Sequence, residues 1–285
     1  MKEITHNEYH KSINKTIDYI NVNLKNSIDL KSLARISNTS EFHFHRLFKA
    51  YIGEPIGSYI TRQRIEKSAQ ILQTTNCRLY EIAAKVGYQT SYSFSKAFKK
   101  HFGISPSAFR KNETFFSSKV TIGKFKPPNL NPKIINIDKI ELVYIRIINK
   151  YGSEKNYNSA WKKLIQFSKE QFILNSKTEY IGLSFDDPNI TTSDKCRFYA
   201  CISTDITIAP QREFGIQTIE NGKYAVFKLK GSYSGLEKLY HAIYFDWLPN
   251  SGFKLRDSIP FEKYLNDLSK VNTSEILTEV YIPIN

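Results

Sequence analysis

The chain has 285 residues, 41% hydrophobic and 24% charged, which gives enough apolar content for one large or two ordinary domains and excludes a disordered tail. Its 41 Lys and Arg exceed 27 Asp and Glu unevenly: residues 1–112 hold 18 basic against 8 acidic side chains, and residues 113–285 hold 23 against 19. A strongly basic first part beside a near-balanced remainder points to a polyanion-binding module joined to something else.

The N-terminal MKEITHNEYHK has no apolar segment after its charges, so no secretory signal is expected. No apolar run approaches the roughly 18 residues of a membrane span, and no membrane partner is expected. Cys77, Cys196 and Cys201 are too scattered for a disulfide framework or a metal site, so a reducing, cytoplasmic setting with no metal and no cofactor is expected. Ile13, Ile17, Ile20 and Leu24 then mark one face of a first amphipathic helix.

From residue 30 the chain repeats itself. LKSLARISNTSEFHFHRLFKAYIGEPIGSYI aligns with LYEIAAKVGYQTSYSFSKAFKKHFGISPSAF, so that Leu33, Ala34, Phe44 and Phe48 fall on Ile82, Ala83, Phe94 and Phe98. Each copy reads as a short helix with a small residue, then a tight turn in which Gly87 takes positive φ and Asn38 tolerates it. A second helix follows, capped by Thr39 or Ser40 in one copy and Gln89 or Thr90 in the other. That pattern is a helix-turn-helix, whose second helix lies in a DNA major groove. A helix over 56–73, with Ile60, Ile65, Ala69 and Leu72 on one face, joins the copies. At 1.5 Å per residue it runs ~27 Å, near the ~34 Å between successive major grooves on one DNA face. Double-stranded DNA read in two successive grooves by a single chain is the expected partner.

Residues 112–133 hold three prolines and read as a linker. Beyond them, aromatic alternating segments read as strands, with helical patterns at 157–172 and 234–246. The order strand, helix, strand, strand fits 140–204 and again 222–284, which suggests a pseudo-twofold axis with a cleft where the repeats meet. The expected fold is therefore multidomain: an all-α domain with two helix-turn-helix subdomains over 1–111, the linker 112–133, and an α+β domain of duplicated β-α-β-β units over 134–285.

The stretch EIAAKVGYQTSYSFSKAFKKHFGISPSAFRK resembles the signature of AraC-type transcriptional regulators, and most of 8–111 shares the resemblance. ELVYIRIINKYG, RDSIPFEKYLND and LTEVYIPI resemble a GyrI-like effector-binding domain, and the order of the two parts is that of the Rob-like subgroup. The resemblance implies that Phe42, His45 and Arg46 occupy base-reading positions on the first recognition helix. Ser91, Tyr92, Ser93 and Lys96 occupy groove-facing positions on the second, with Gln89 and Thr90 also facing outward. Arg46 suits a bidentate contact to guanine and Phe42 a thymine methyl. Lys49, Lys99, Lys100, Arg62 and Arg64 are expected to touch phosphates. Relatives often carry Trp and Gln at the Phe42 and His45 positions, so a target sequence does not carry over.

The C-terminal part offers no catalytic constellation, its only histidine being His241, and an enzyme is not expected. What stands out is acidic residues within aromatic strands. By period-two alternation Glu279 shares a face with Leu277 and Tyr281, and Glu262 shares one with Tyr264. Carboxylates among rings suit a small cationic or amphipathic effector, and GyrI-like domains pair such a residue with an aromatic cleft. Tyr144, Tyr151, Trp161, Tyr264 and Tyr281 are the expected walls. The resemblance thus implies a sequence-specific transcription regulator, with activation, the more usual behaviour of the family, as the expected sign and RNA polymerase as a further partner. The alternative is that the second domain is a protein-interaction module or a weak hydrolase tethered to DNA.

Overall fold

A computed structural model describes residues 2–112, 130–266 and 270–285; most of the expected linker, residues 113–129, lies outside them. The chain forms two compact units.

The first unit is helical: α1 (Lys2–Asn23), α2 (Leu30–Ile36), α3 (Glu41–Ile52), α4 (Ile56–Thr74), α5 (Leu79–Lys85), α6 (Ser91–Phe102) and α7 (Pro106–Lys111). Its two halves are built alike. Ser40 Oγ accepts the His43 N–H at 3.3 Å at the start of α3, and Thr90 Oγ1 accepts the Ser93 N–H at 3.1 Å at the start of α6. Such caps are typically worth ~1 kcal/mol each. Asn38 (φ 53°) and Gly87 (φ 82°) make the left-handed turns ahead of these helices. Inside each half a phenylalanine pair one turn apart locks the second helix to the core: Phe44 and Phe48, and Phe94 and Phe98, all fully buried. Ala34 and Ala83 are buried too, where a larger side chain would hold the paired helices apart. The connector α4 has 19 residues, about 28 Å of helix.

The second unit is an eight-stranded antiparallel sheet with helices on one face. Its elements are β1 (Lys133–Ile137), β2 (Ile140–Ile148), α8 (Glu154–Glu170), β3 (Tyr180–Ser184), β4 (Arg197–Ser203), β5 (Phe214–Ile219), β6 (Gly222–Lys230), α9 (Leu236–Ala242), β7 (Phe261–Tyr264) and β8 (Leu277–Pro283). Strand order is β1-β6-β8-β7-β3-β4-β2-β5, so β2-β4-β3 in one repeat answers β6-β8-β7 in the other, and the repeats meet at the β3–β7 pair. The repeated β-α-β-β order is present, and each repeat has one more leading strand than expected. Those strands are exchanged: β1, ahead of the first repeat, pairs with β6, and β5, ahead of the second, pairs with β2. The second helix is also shorter than expected, since a π-helical turn over Ile243–Trp247 follows α9. Pro249, with no N–H to return along the helix, stands just beyond that change of pitch.

Of the glycines described in the helical unit, Gly87 is the one with no room for a side chain. A Cβ there would lie 2.5 Å from Leu24 O and 2.8 Å from Arg64 Nη2, on a backbone that side chains rarely adopt. Gly87→Ala should therefore destabilise the unit by about 2 kcal/mol, read as a lowered denaturant midpoint. An unchanged midpoint would show that the turn relaxes freely.

Candidate functional site

The first unit presents one helix of each pair to solvent. On α3, Phe42, His43, His45, Arg46 and Lys49 are all exposed, and Phe42 remains 74% exposed despite its size. The Arg46 guanidinium lies 5.7 Å from the Phe42 ring centroid, so ring and cation are held as a stacked pair. His43 is not merely solvated: its Nε2 lies 3.3 Å from Tyr9 Oη of α1. On α6, Tyr92, Ser93, Lys96, Lys99 and Lys100 are exposed and Ser91 is half-buried, and Gln89 and the capping Thr90, just ahead of the helix, are exposed too. Thr90 and Ser93 have local duties. Besides capping the helix, their hydroxyls lie 2.9 Å apart, and Ser93 Oγ donates to Thr90 O at 3.0 Å. That leaves Tyr92, 78% exposed, and Lys96 as the long outward side chains nearest the helix start.

Two arginines expected at phosphates are elsewhere. Arg62 is 7% exposed; its Nε donates to Glu54 Oε1 at 3.0 Å and its Nη1 to Glu66 Oε2 at 2.9 Å. Burial opposes the Arg62 charge, but the Glu54 hydrogen bond and the two carboxylates overcome it and raise its pKa. Arg64 Nε donates to Leu24 O at 2.9 Å and its Nη2 to Asn26 O at 2.7 Å, tying α4 to the end of α1. An Arg with a glutamate four residues on was a signal for an internal pair that the sequence reading passed over.

In the second unit the sheet separates the two expected carboxylates. Register pairs Glu262 with Gly182 and Val280, and pairs Lys263 with Glu279. Directly opposed residues share a face, so Glu262 points to the helix side and Glu279 to the other. Glu262 is 4% exposed. It accepts hydrogen bonds from Tyr264 Oη at 2.8 Å, Tyr240 Oη at 3.1 Å and Ser184 Oγ at 3.2 Å. Trp161 packs edge-on against Tyr264 at 5.8 Å and Tyr233 does so at 5.4 Å, and all of these rings are half-buried. Burial raises the Glu262 pKa, and the three hydroxyls pull it partly back. Burial and then the Glu262 charge push Tyr233 up to about 12. Tyr151 lies on the helix side but is spent on the backbone, its Oη donating to Asp186 O at 2.9 Å or Arg197 O at 3.0 Å.

Glu279, Tyr281 and Tyr144 therefore do not join Glu262. Glu279 accepts from Tyr281 Oη at 2.8 Å and lies 3.6 Å from Lys228 Nζ. Tyr281 stacks on Phe261 at 4.3 Å, and Tyr144 stacks on Tyr199 at 4.3 Å beneath Arg146. Same-strand alternation placed each residue correctly on its own strand. What it could not supply was the register between β7 and β8. The sequence reading also missed Tyr240, Ser184, Tyr233 and Gly182. Gly182 faces Glu262 across the ladder, and a Cβ there would collide with Tyr264 Oη and lie 2.8 Å from the Phe198 ring. A lone glycine inside YIGLSF is the sign of such a close approach.

Among the described residues no group of His, Cys, Asp and Glu could hold a metal ion, and no helix is long and apolar enough to cross a membrane. Residues 130–285, over half of the chain, match the GyrI-like small molecule binding domain family, and residues 33–112 match a helix-turn-helix domain family. The chain is similar to the HTH-type transcriptional activator AarP of Providencia stuartii, 37% identical over 113 residues that cover 39% of this chain and 84% of that protein. It is similar to the F1 operon positive regulatory protein of Yersinia pestis, 26% identical with 96% of this chain and 88% of that protein covered. It is similar also to the transcriptional regulator Rob of Salmonella typhimurium, 24% identical with 85% and 86% covered.

The raised Glu262 pKa fixes the sign of a pH effect. Below its ordinary value of 4.5 the side chain is protonated in folded and unfolded chain alike. As pH rises the unfolded chain ionises first, so stability falls until the folded-state pKa is passed. Relative to Glu262→Gln, the wild-type melting temperature should decline as pH rises from 4.5 towards neutrality. A gap between the two that does not change with pH would show that the carboxyl titrates as if it were in water.

Proposed function

This chain belongs to the AraC-type transcription regulators that carry a GyrI-like small-molecule-binding domain, and on that premise we propose that it reads two successive major grooves of one duplex and activates transcription in response to a cationic, amphipathic effector. Residues 1–111 are the DNA-binding part, 112–133 the linker and 134–285 the effector-binding part. The observation that carries the DNA reading is the pair of like-capped helices with their long polar and aromatic side chains free of the core. The stacked Phe42 and Arg46 give α3 an apolar surface for a thymine methyl beside a fork for guanine O6 and N7. His45 and Lys49 flank them. On α6, Tyr92, Lys96, Ser91 and Lys100, with Gln89 just ahead of it, supply contacts with less power to tell bases apart, so α3 carries more of the specificity. Activation as the sign is supported by relatives named as an activator and as a positive regulatory protein, and RNA polymerase is the partner an activator requires.

For the effector, Glu262 supplies the charge, and Tyr264, Tyr240, Tyr233 and Trp161 supply the rings. A buried carboxylate already bonded to three hydroxyls is a poor site for a small hydrated ion. A lipophilic cation, which sheds its water cheaply, suits it better. Binding such a cation favours the ionised carboxyl and expels its proton, so affinity rises with pH over the range in which Glu262 titrates.

Arg46→Ala should cost ~1–3 kcal/mol on a selected duplex and relax preference at one base pair. Loss that is equal across all sequences would make Arg46 a phosphate contact instead. In calorimetry, tetraphenylphosphonium should bind the full chain and should bind Glu262→Gln at least tenfold more weakly, about 1.4 kcal/mol. Equal affinity for both proteins would remove Glu262 from the site.

A further inference from the structure

The connector α4 is unusual in what it buries. Beside Ile65, Ala69 and Leu72 it encloses Arg62 at 7% and Glu66 at 3% exposure, one helical turn apart on the same face. Arg62 reaches back to Glu54, which directly follows Gly53, the residue that caps the C-terminal end of α3. Its Nε donates to Glu54 Oε1 at 3.0 Å and its Nη2 to the same oxygen at 2.5 Å, while the guanidinium lies 5.3 Å from the Tyr59 ring centroid. On the other side Arg62 Nη1 donates to Glu66 Oε2 at 2.9 Å. The second oxygen of that carboxylate, Oε1, lies 3.9 Å from His101 Nε2 in the last turn of α6. A continuous run of polar side chains, three of them charged, thus passes from the end of α3, through one turn of the connector, to the end of α6.

We propose that the chain Glu54–Arg62–Glu66–His101 fixes the spacing at which α3 and α6 engage DNA. Apolar packing tolerates small sliding of one helix on another. A guanidinium fork between two carboxylates does not, because its donors are planar and directional. Buried ion pairs add little net stability over well-packed apolar side chains, and their best-attested use is to fix a register. Here the groups span both junctions of the connector, with Glu54 after α3 on one side and His101 of α6 on the other. Arg62 and Glu66 are positioning residues: they hold the reading helices and touch no base.

The inference rests on the two-groove reading, and one experiment separates the two. The full chain first selects bound fragments from random DNA. Its bipartite site is then rebuilt with one or two base pairs inserted or removed between the half-sites, and with the α3 half-site alone. Wild-type affinity should fall at least tenfold on changing the spacing by one or two base pairs. For Arg62→Met and Glu66→Gln that penalty should shrink to threefold or less, with affinity for the single half-site kept within twofold. His101→Gln and Glu54→Gln, at the more accessible ends of the chain, should give intermediate penalties. Variants that keep the full wild-type penalty would overturn the proposal and leave the two-groove reading standing. Equal loss at the half-site and at every spacing would also overturn it, since the network would then only stabilise the fold. A wild-type chain indifferent to spacing, or one that selects a single half-site, would bring down the two-groove reading itself.

Discussion

The pairing of β3 with β7 is the contact on which the effector-binding unit turns. Apart from the exchanged leading strands, it is where β2-β4-β3 of one repeat meets β6-β8-β7 of the other, and its register sets Gly182 opposite Glu262. With no side chain at that point, Tyr264 can fold its hydroxyl back over the seam onto the carboxylate. The buried charge, its hydroxyl partners and its aromatic cover all follow from that alignment. A slip of one residue would exchange Glu262 with Lys263 and turn the site inside out.

The helical unit solves a different problem by using one solution twice. Hydroxyl caps, left-handed turns and phenylalanine pairs recur at matching places, so α3 and α6 are presented in the same local way. The copies then diverge only on their outer surfaces. In the first, a ring and a guanidinium stack on each other. In the second, two of the hydroxyls turn inward to the helix start. Local structure is duplicated and surface chemistry is not, so the two helices offer unequal outer faces.

Much of this was legible in the sequence, and the part that was not has a common cause. Helical periodicity found Ile13, Ile17 and Ile20, and the repeat found both turns and narrowed each cap to two adjacent residues, because these features are local. Alternation placed Glu262 with Tyr264 and Glu279 with Tyr281 because it acts within one strand. It put both pairs in one cleft because register between strands depends on residues far apart in the chain. Arg62 is a different case: it lies on the helix face of Ile65, Ala69 and Leu72 with Glu66 four residues on, so its inward pairing was legible, and only its second partner Glu54, beyond a turn, was not. Tyr240 belongs to a helix that reads as ordinary amphipathic sequence, and nothing local marks it as the partner of a carboxylate 22 residues on.

The exchanged strands β1 and β5 have a consequence for how the second unit is made. Each repeat lends its leading strand to the other, so neither can be completed as the chain leaves the ribosome. The first repeat must wait for β5 to close its outer border, and β1, synthesised earliest, finds its place only once β6 has emerged. The two halves are topologically hostage to one another: severed between β4 and β5, each fragment would carry a strand that belongs to its sibling, and only recombination of the pair would restore the eight-strand order.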